Sequence, residues 1–154
     1  MEQDIHIKFM KKAISAAKKA EKKDDVPVGA VIVCDGEIIA TGYNYKENSQ
    51  SPIDHAEIRA IKRAAKKLGS WRLIDCDIYI TLEPCPMCAG AIIQSRIRHV
   101  YFGAYDYKAG CAGSILNILC EPRFNHRCEF TGGILEHECA SLLKNYFSKK
   151  RKKC

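Results

Sequence analysis

The sequence predicts a three-layer α/β/α domain, with helices covering both faces of a sheet, and three observations carry that prediction. The chain is 154 residues long, the size of one ordinary domain with a single core. Stretches with apolar residues at helical spacing alternate with short β-branched runs, the pattern of a layered α/β domain. No repeat, linker or low-complexity segment interrupts the alternation before the basic C-terminal run. The expected organisation is therefore one domain over residues 1–148, followed by a basic tail at 149–154.

Each element has its own signal. Ile5, Phe9, Ala13, Ala16 and Ala20 recur on one helical face, and Pro27 closes that stretch. Residues 28–33 and 37–41 read as strands joined through Asp35-Gly36, a dipeptide favoured in tight hairpin turns. A polar loop at 43–52 precedes a helical pattern through Ile58, Ile61, Ala65 and Leu68, stopped at Gly69. Residues 77–82 read as a buried strand, 86–95 as a helix and 99–103 as a second buried strand. Residues 110–117 read as a loop leading into a short helix. A last helix is expected from about Ile134, with Leu135, Cys139, Leu142 and Tyr146 on one face.

Composition narrows the class. Hydrophobic residues make up 47% and charged residues 28%, as in soluble globular proteins. No apolar run approaches the ~20 residues of a bilayer span. Glu2, Asp4 and several lysines stand where a secretory leader would need an apolar core, so a cytoplasmic protein with no membrane partner is expected. Nine cysteines then read as reduced thiols, and only Cys85 and Cys88 have ligand spacing. The formal charge of +7 is concentrated in the lysines of the first helix and in Lys149-Lys150-Arg151-Lys152-Lys153. A polyanionic partner explains such clustering through counterion release, and a solvated helix face explains it as well.

Two motifs carry chemistry: His55-Ala56-Glu57 and Pro84-Cys85-Pro86-Met87-Cys88. Cys85 and Cys88 are three apart at an expected helix start, where the helix dipole favours the thiolate that binds metal. His55 opens the other helix, so two helix N-termini can face one ion. Two thiolates and an imidazole suit Zn²⁺ and leave its fourth tetrahedral position to water, the mark of a catalytic site. Glu57 is spaced to take a proton from such a water and pass it on. Asp54-His55-Ala56-Glu57 also fits a helix capping box. A lone C-x-x-C also fits a redox pair or half of a structural zinc site, but the first has no use for H-x-E and the second needs a fourth ligand that is not found.

The combined H-x-E…P-C-x-x-C order is an established signature of zinc nucleobase deaminases. With Val26-Pro27-Val28-Gly29-Ala30-Val31, Trp71-Arg72-Leu73, Thr81-Leu82-Glu83 before Pro84, Phe102-Gly103-Ala104, Asp106, Lys108, Gly110, Gly113-Ser114, Asn125-His126-Arg127 and Gly133-Ile134-Leu135, the chain resembles the bacterial tRNA-specific adenosine deaminases of the cytidine/deoxycytidylate deaminase superfamily. The resemblance spans all but the first helix and the basic end. It implies a cytidine deaminase-like fold with a central mixed sheet, a homodimer, and one Zn²⁺ per subunit on His55, Cys85 and Cys88 with Glu57 as proton shuttle. It implies conversion of the wobble adenosine of an arginine tRNA to inosine, with the anticodon stem-loop as partner. It further places Asn44 against the flipped base, Asp106 against a ribose, and Tyr146 and Phe147 near the RNA. For Asn44 a turn role, for Asp106 an ordinary loop role and for Tyr146 core packing stand beside these. One departure is Asp54, where the family usually has a small residue; it either caps the helix or brings negative charge into the pocket. Deamination of free cytidine, a deoxynucleotide or guanine uses the same metal chemistry, and a non-catalytic zinc RNA-binding subunit would have no need of Glu57.

Overall fold

The computed structural model describes residues 1–153; Cys154, the last residue of the basic run, lies outside the described residues. In chain order the elements are α1 (Glu2–Lys22), β1 (Gly29–Cys34), β2 (Glu37–Tyr43), α2 (Lys46–Ser49), α3 (Ala56–Leu68), β3 (Cys76–Leu82), α4 (Pro86–Gln94), β4 (His99–Ala104), β5 (Glu129–Thr131) and α5 (Glu136–Lys153). The five strands form one sheet in the order β2-β1-β3-β4-β5. β1 runs antiparallel to both β2 and β3, while β3, β4 and β5 are parallel, so the sheet is mixed.

Strand alternation builds the layers. Ala30, Ile32, Ile78, Ile80, Val100 and Phe102 meet the α3 and α4 side chains Ala56, Ala60, Ala89 and Ile92 on one face. Val31, Val33 and Tyr79 meet Phe9, Met10 and Ala13 of α1 and Cys139 of α5 on the other. Covering both faces is why β1 and β3 read as nearly unbroken apolar runs. Two glycines set how closely the layers approach. A Cβ at Gly29 would collide with the α1 backbone at Ala13 and Ala17, and one at Gly42 with the α3 backbone at Ala56 and Ala60. Gly42 therefore seats the start of α3 against the sheet, beside the chemistry-bearing residues.

The hairpin turn is as expected, with Asp35 and Gly36 both at positive φ (52° and 78°). Four expectations need correction. No helix follows residues 110–117: between β4 and β5 the described chain is turns with a single bridge, Ala112 to Asn117. β5 and the one-turn α2 were not foreseen, being three and four residues long and only partly buried. Leu135 sits at φ 52°, which breaks the helical path, so α5 starts at Glu136. The basic run, expected as a tail after the domain, continues α5 as far as Lys153.

Candidate active site

α3 and α4 direct their N-termini at one point. His55 is the N-cap of α3 and Cys85 the N-cap of α4, both extended in backbone (ψ 157° and 175°), with Pro86 preorganising the first turn. Cys88 lies one turn into α4 and is fully buried. His55 Nδ1 is 3.6 Å from Cys85 Sγ and 3.5 Å from Cys88 Sγ, and all three atoms fall within 4.8 Å of one another. Tetrahedral zinc with ordinary Zn–S and Zn–N bonds sets its N and S ligands about 3.6 Å apart. The donor set fits that ion in spacing and softness. The Cys88 thiol and His55 both donate to Cys85, which outweighs burial and holds the Cys85 thiol down to about 4. Its bond to Cys85 and burial push Cys88 up, and His55's own bond to Cys85 raises the imidazole.

Glu57 is 4% exposed and within hydrogen-bonding contact of Cys88. Burial drives its carboxyl up to about 7, against the pull of its own backbone N–H, with the Cys85 charge adding to the rise. The expected capping box is not formed. The N-cap is His55, with no side-chain cap, and the Asp54 N–H donates to the Ser51 carbonyl instead of meeting Glu57. Asn44 supplies the cap: its Oδ1 accepts the Ala56 N–H at 2.8 Å. Glu57 is thereby released from any capping duty. Asp54 turns to Arg59, one helical turn on, at 3.8 Å, and the Arg59 guanidinium lies 4.5 Å from the Tyr45 ring. A cation thus offsets the departure at Asp54.

The residues expected at the substrate are placed differently from one another. Asn44 is buried and reaches the His55–Cys85–Cys88 group through Ala56, while its amide nitrogen has no hydrogen-bond partner among the described residues. Asn44→Asp should keep the cap and lose only the amide donor, whereas Asn44→Ala should lose both. Thermal unfolding should then show a loss of about 1 kcal/mol for the alanine variant alone, with activity reduced in both; equal melting of the two variants would contradict the capping role. Asp106 Oδ1 accepts the N–H groups of Lys108 and Ala109 at 3.0 and 3.1 Å, so one oxygen shapes its own loop. Tyr146 is buried, its hydroxyl donating to the Asp24 carbonyl at 3.3 Å. Phe147 is 43% exposed and stands edge-on to Tyr146, in a groove of about 590 Å³ shared with Lys23, Lys46, Asn48 and Lys150.

One residue that carries the resemblance had no role assigned from sequence. Glu83, at the end of β3, is a fully buried carboxylate bonded to the loop after β4. Burial works to raise its pKa, but the Ser114 hydroxyl and the Asp106, Ser114 and Ala112 N–H groups outweigh it and keep the group ionised. A lone acid closing an apolar strand directly before Pro84-Cys85 was the available signal.

A family model of MafB19-like deaminases matches residues 5–151. The tRNA-specific adenosine deaminase of Bacillus subtilis (strain 168) is 53% identical over 145 residues, covering 94% of this chain and 90% of that protein. A solved structure from work on A-to-I editing by tRNA:A34 deaminases at the wobble position of transfer RNA superposes with a TM-score of 0.84. It is 41% identical and the match covers 88% of this chain and 98% of that one. The guanine deaminase of Bacillus subtilis is also similar, with a TM-score of 0.62 and 44% identity over 64% of this chain and 63% of that chain.

Proposed function

Since the chain belongs to the MafB19-like deaminases and, among them, to the tRNA-specific adenosine deaminases, we propose that it converts adenosine to inosine at the wobble position, the first anticodon base, of a tRNA. The observation that carries the chemistry is the His55–Cys85–Cys88 cluster beside the buried acid Glu57. In this reading residues 1–148 are one deaminase domain of a cytoplasmic enzyme, and His55, Cys85 and Cys88 would hold one zinc ion per subunit. When bound, zinc would supply a water acidic enough to deprotonate near neutral pH. Glu57 takes the proton as the water oxygen joins the amine-bearing carbon, and gives a proton to the ring nitrogen. A second transfer reaches the exocyclic nitrogen, and adenosine plus water becomes inosine plus ammonia. A carboxyl lifted to about 7 by burial can both accept and return protons at neutral pH.

Charge supports an RNA substrate over a free base. Lys8, Lys11, Lys12, Lys18, Lys19, Lys22 and Lys23 are all exposed on or beside α1, and phosphate contacts reward such a surface. The groove of Lys23, Lys46 and Lys150, also lined by Asp24 and Glu47, adds a stacking ring in Phe147. Phe147→Ala should weaken binding of an anticodon stem-loop by about 1–3 kcal/mol, the worth of one base–aromatic stack, in a filter-binding or fluorescence titration, with its melting temperature unmoved. Unchanged binding would remove Phe147 from the interface. The same reading makes the enzyme a homodimer.

Likeness to a guanine deaminase favours a second reading, action on a free base. Ammonia release from an arginine tRNA anticodon stem-loop, guanine and cytidine, compared at low and high salt, separates the two. Salt-sensitive turnover of the RNA supports the tRNA reading, and turnover of guanine or cytidine alone would replace it.

A further inference from the structure

We infer that Glu83 is a positioning residue whose buried carboxylate locks the 105–114 loop to the Cys85 end of the metal cluster and so shapes the pocket for its RNA substrate. The inference rests on the deaminase reading and extends it to a residue outside the metal ligands and the proton shuttle.

The carboxylate is 1% exposed and serves the loop with both oxygens. Oε1 accepts the Asp106 N–H at 3.0 Å and the Ser114 hydroxyl. Oε2 accepts the Ala112 N–H at 2.9 Å and the Ser114 N–H at 3.1 Å. All four donors come from this one loop. Burying a carboxylate is tolerable only when its lone pairs are satisfied, so the loop and the acid specify each other. Two backbone bonds flank the carboxylate: the Glu83 N–H donates to the Ala104 carbonyl at 2.9 Å, and the Cys111 N–H to the Pro84 carbonyl at 2.8 Å. Pro84, with its fixed φ, is all that separates Glu83 from Cys85.

The fit leaves no slack. A Cβ on Gly110 would strike the Glu83 carboxylate, so glycine is required by close approach. The loop has almost no regular structure of its own, a single bridge apart, and draws its shape from this acid. Asp106, the residue expected at the ribose, has its backbone N–H on Glu83 and one side-chain oxygen spent on the turn. Displacing the carboxylate displaces Asp106 without touching a metal ligand.

Glu83→Gln keeps the size and replaces one accepting oxygen with an amide NH2, a donor that faces the loop's own donors. Ser114→Ala removes one donor and leaves the carboxylate in place. Both are compared with the wild-type enzyme for bound zinc, melting temperature and the kinetics of inosine formation on an anticodon stem-loop. Glu83→Gln should keep its zinc and raise KM about tenfold or more, with kcat changed about threefold or less; Ser114→Ala should raise KM less, in the same direction. A purely structural acid would lower stability and leave that KM-against-kcat split absent. Wild-type KM in both variants, or a fall in kcat that tracks lost zinc, would overturn the inference. Because Ser114→Ala leaves the buried charge intact, it reads the same KM shift even if Glu83→Gln does not fold. A wild-type enzyme that forms no inosine sinks the deaminase reading and this inference with it, whereas an active wild type with unaltered variants sinks the inference alone.

Discussion

Glu57→Ala should keep its zinc and lose inosine formation by about 10²–10⁴-fold in kcat, the usual worth of a positioned proton carrier. The expectation follows from what Glu57 does not do in the structure. It is no capping residue, because Asn44 caps α3 and His55 occupies the N-cap. A buried carboxyl lifted to about 7 and free of a structural task has only the cluster to serve. Metal content by atomic absorption and single-turnover rates on the stem-loop check both halves. Glu57→Gln should behave like the alanine variant, since the amide fills the same space and carries no transferable proton. Activity within a few-fold of wild type in either variant would remove Glu57 from the reaction.

The second large effect is on the metal itself. Cys88→Ala should bind no zinc above background and form no inosine, and added zinc should not restore it. Chelation of the wild-type enzyme should abolish activity reversibly, with zinc returning it. Bound metal stabilises the folded state by mass action, so the chelated form should also melt lower. Cys88 is fully buried at the meeting of α3 and α4, one turn from the Cys85 cap. Its replacement therefore removes a ligand and leaves a small void. A variant that still carries stoichiometric zinc would place the metal on other residues.

Legibility in the sequence followed how local each determinant is. The hairpin was readable because Asp35-Gly36 alone meets the turn's demand for positive φ. The end of α3 was readable at Gly69, whose φ of 66° is the left-handed cap expected of glycine. The three candidate ligands were readable because two short motifs, each at a helix start, bring them together. What was hidden depends on partners distant in sequence. The cap on α3 comes from Asn44, twelve residues upstream, and no local pattern separates it from the Asp54 capping box. The loop after β4 is shaped by Glu83, some thirty residues before Ser114, so local periodicity suggested a helix where none forms. β5 is three residues with one partly buried side chain and exists because β4 offers an edge.

The most direct test is to incubate the purified protein with an unmodified tRNA pool and sequence the products for adenosine-to-inosine change. Inosine at the first anticodon position of an arginine tRNA, dependent on zinc and on Glu57, is the predicted result. An unchanged pool together with ammonia release from free guanine or cytidine would contradict it.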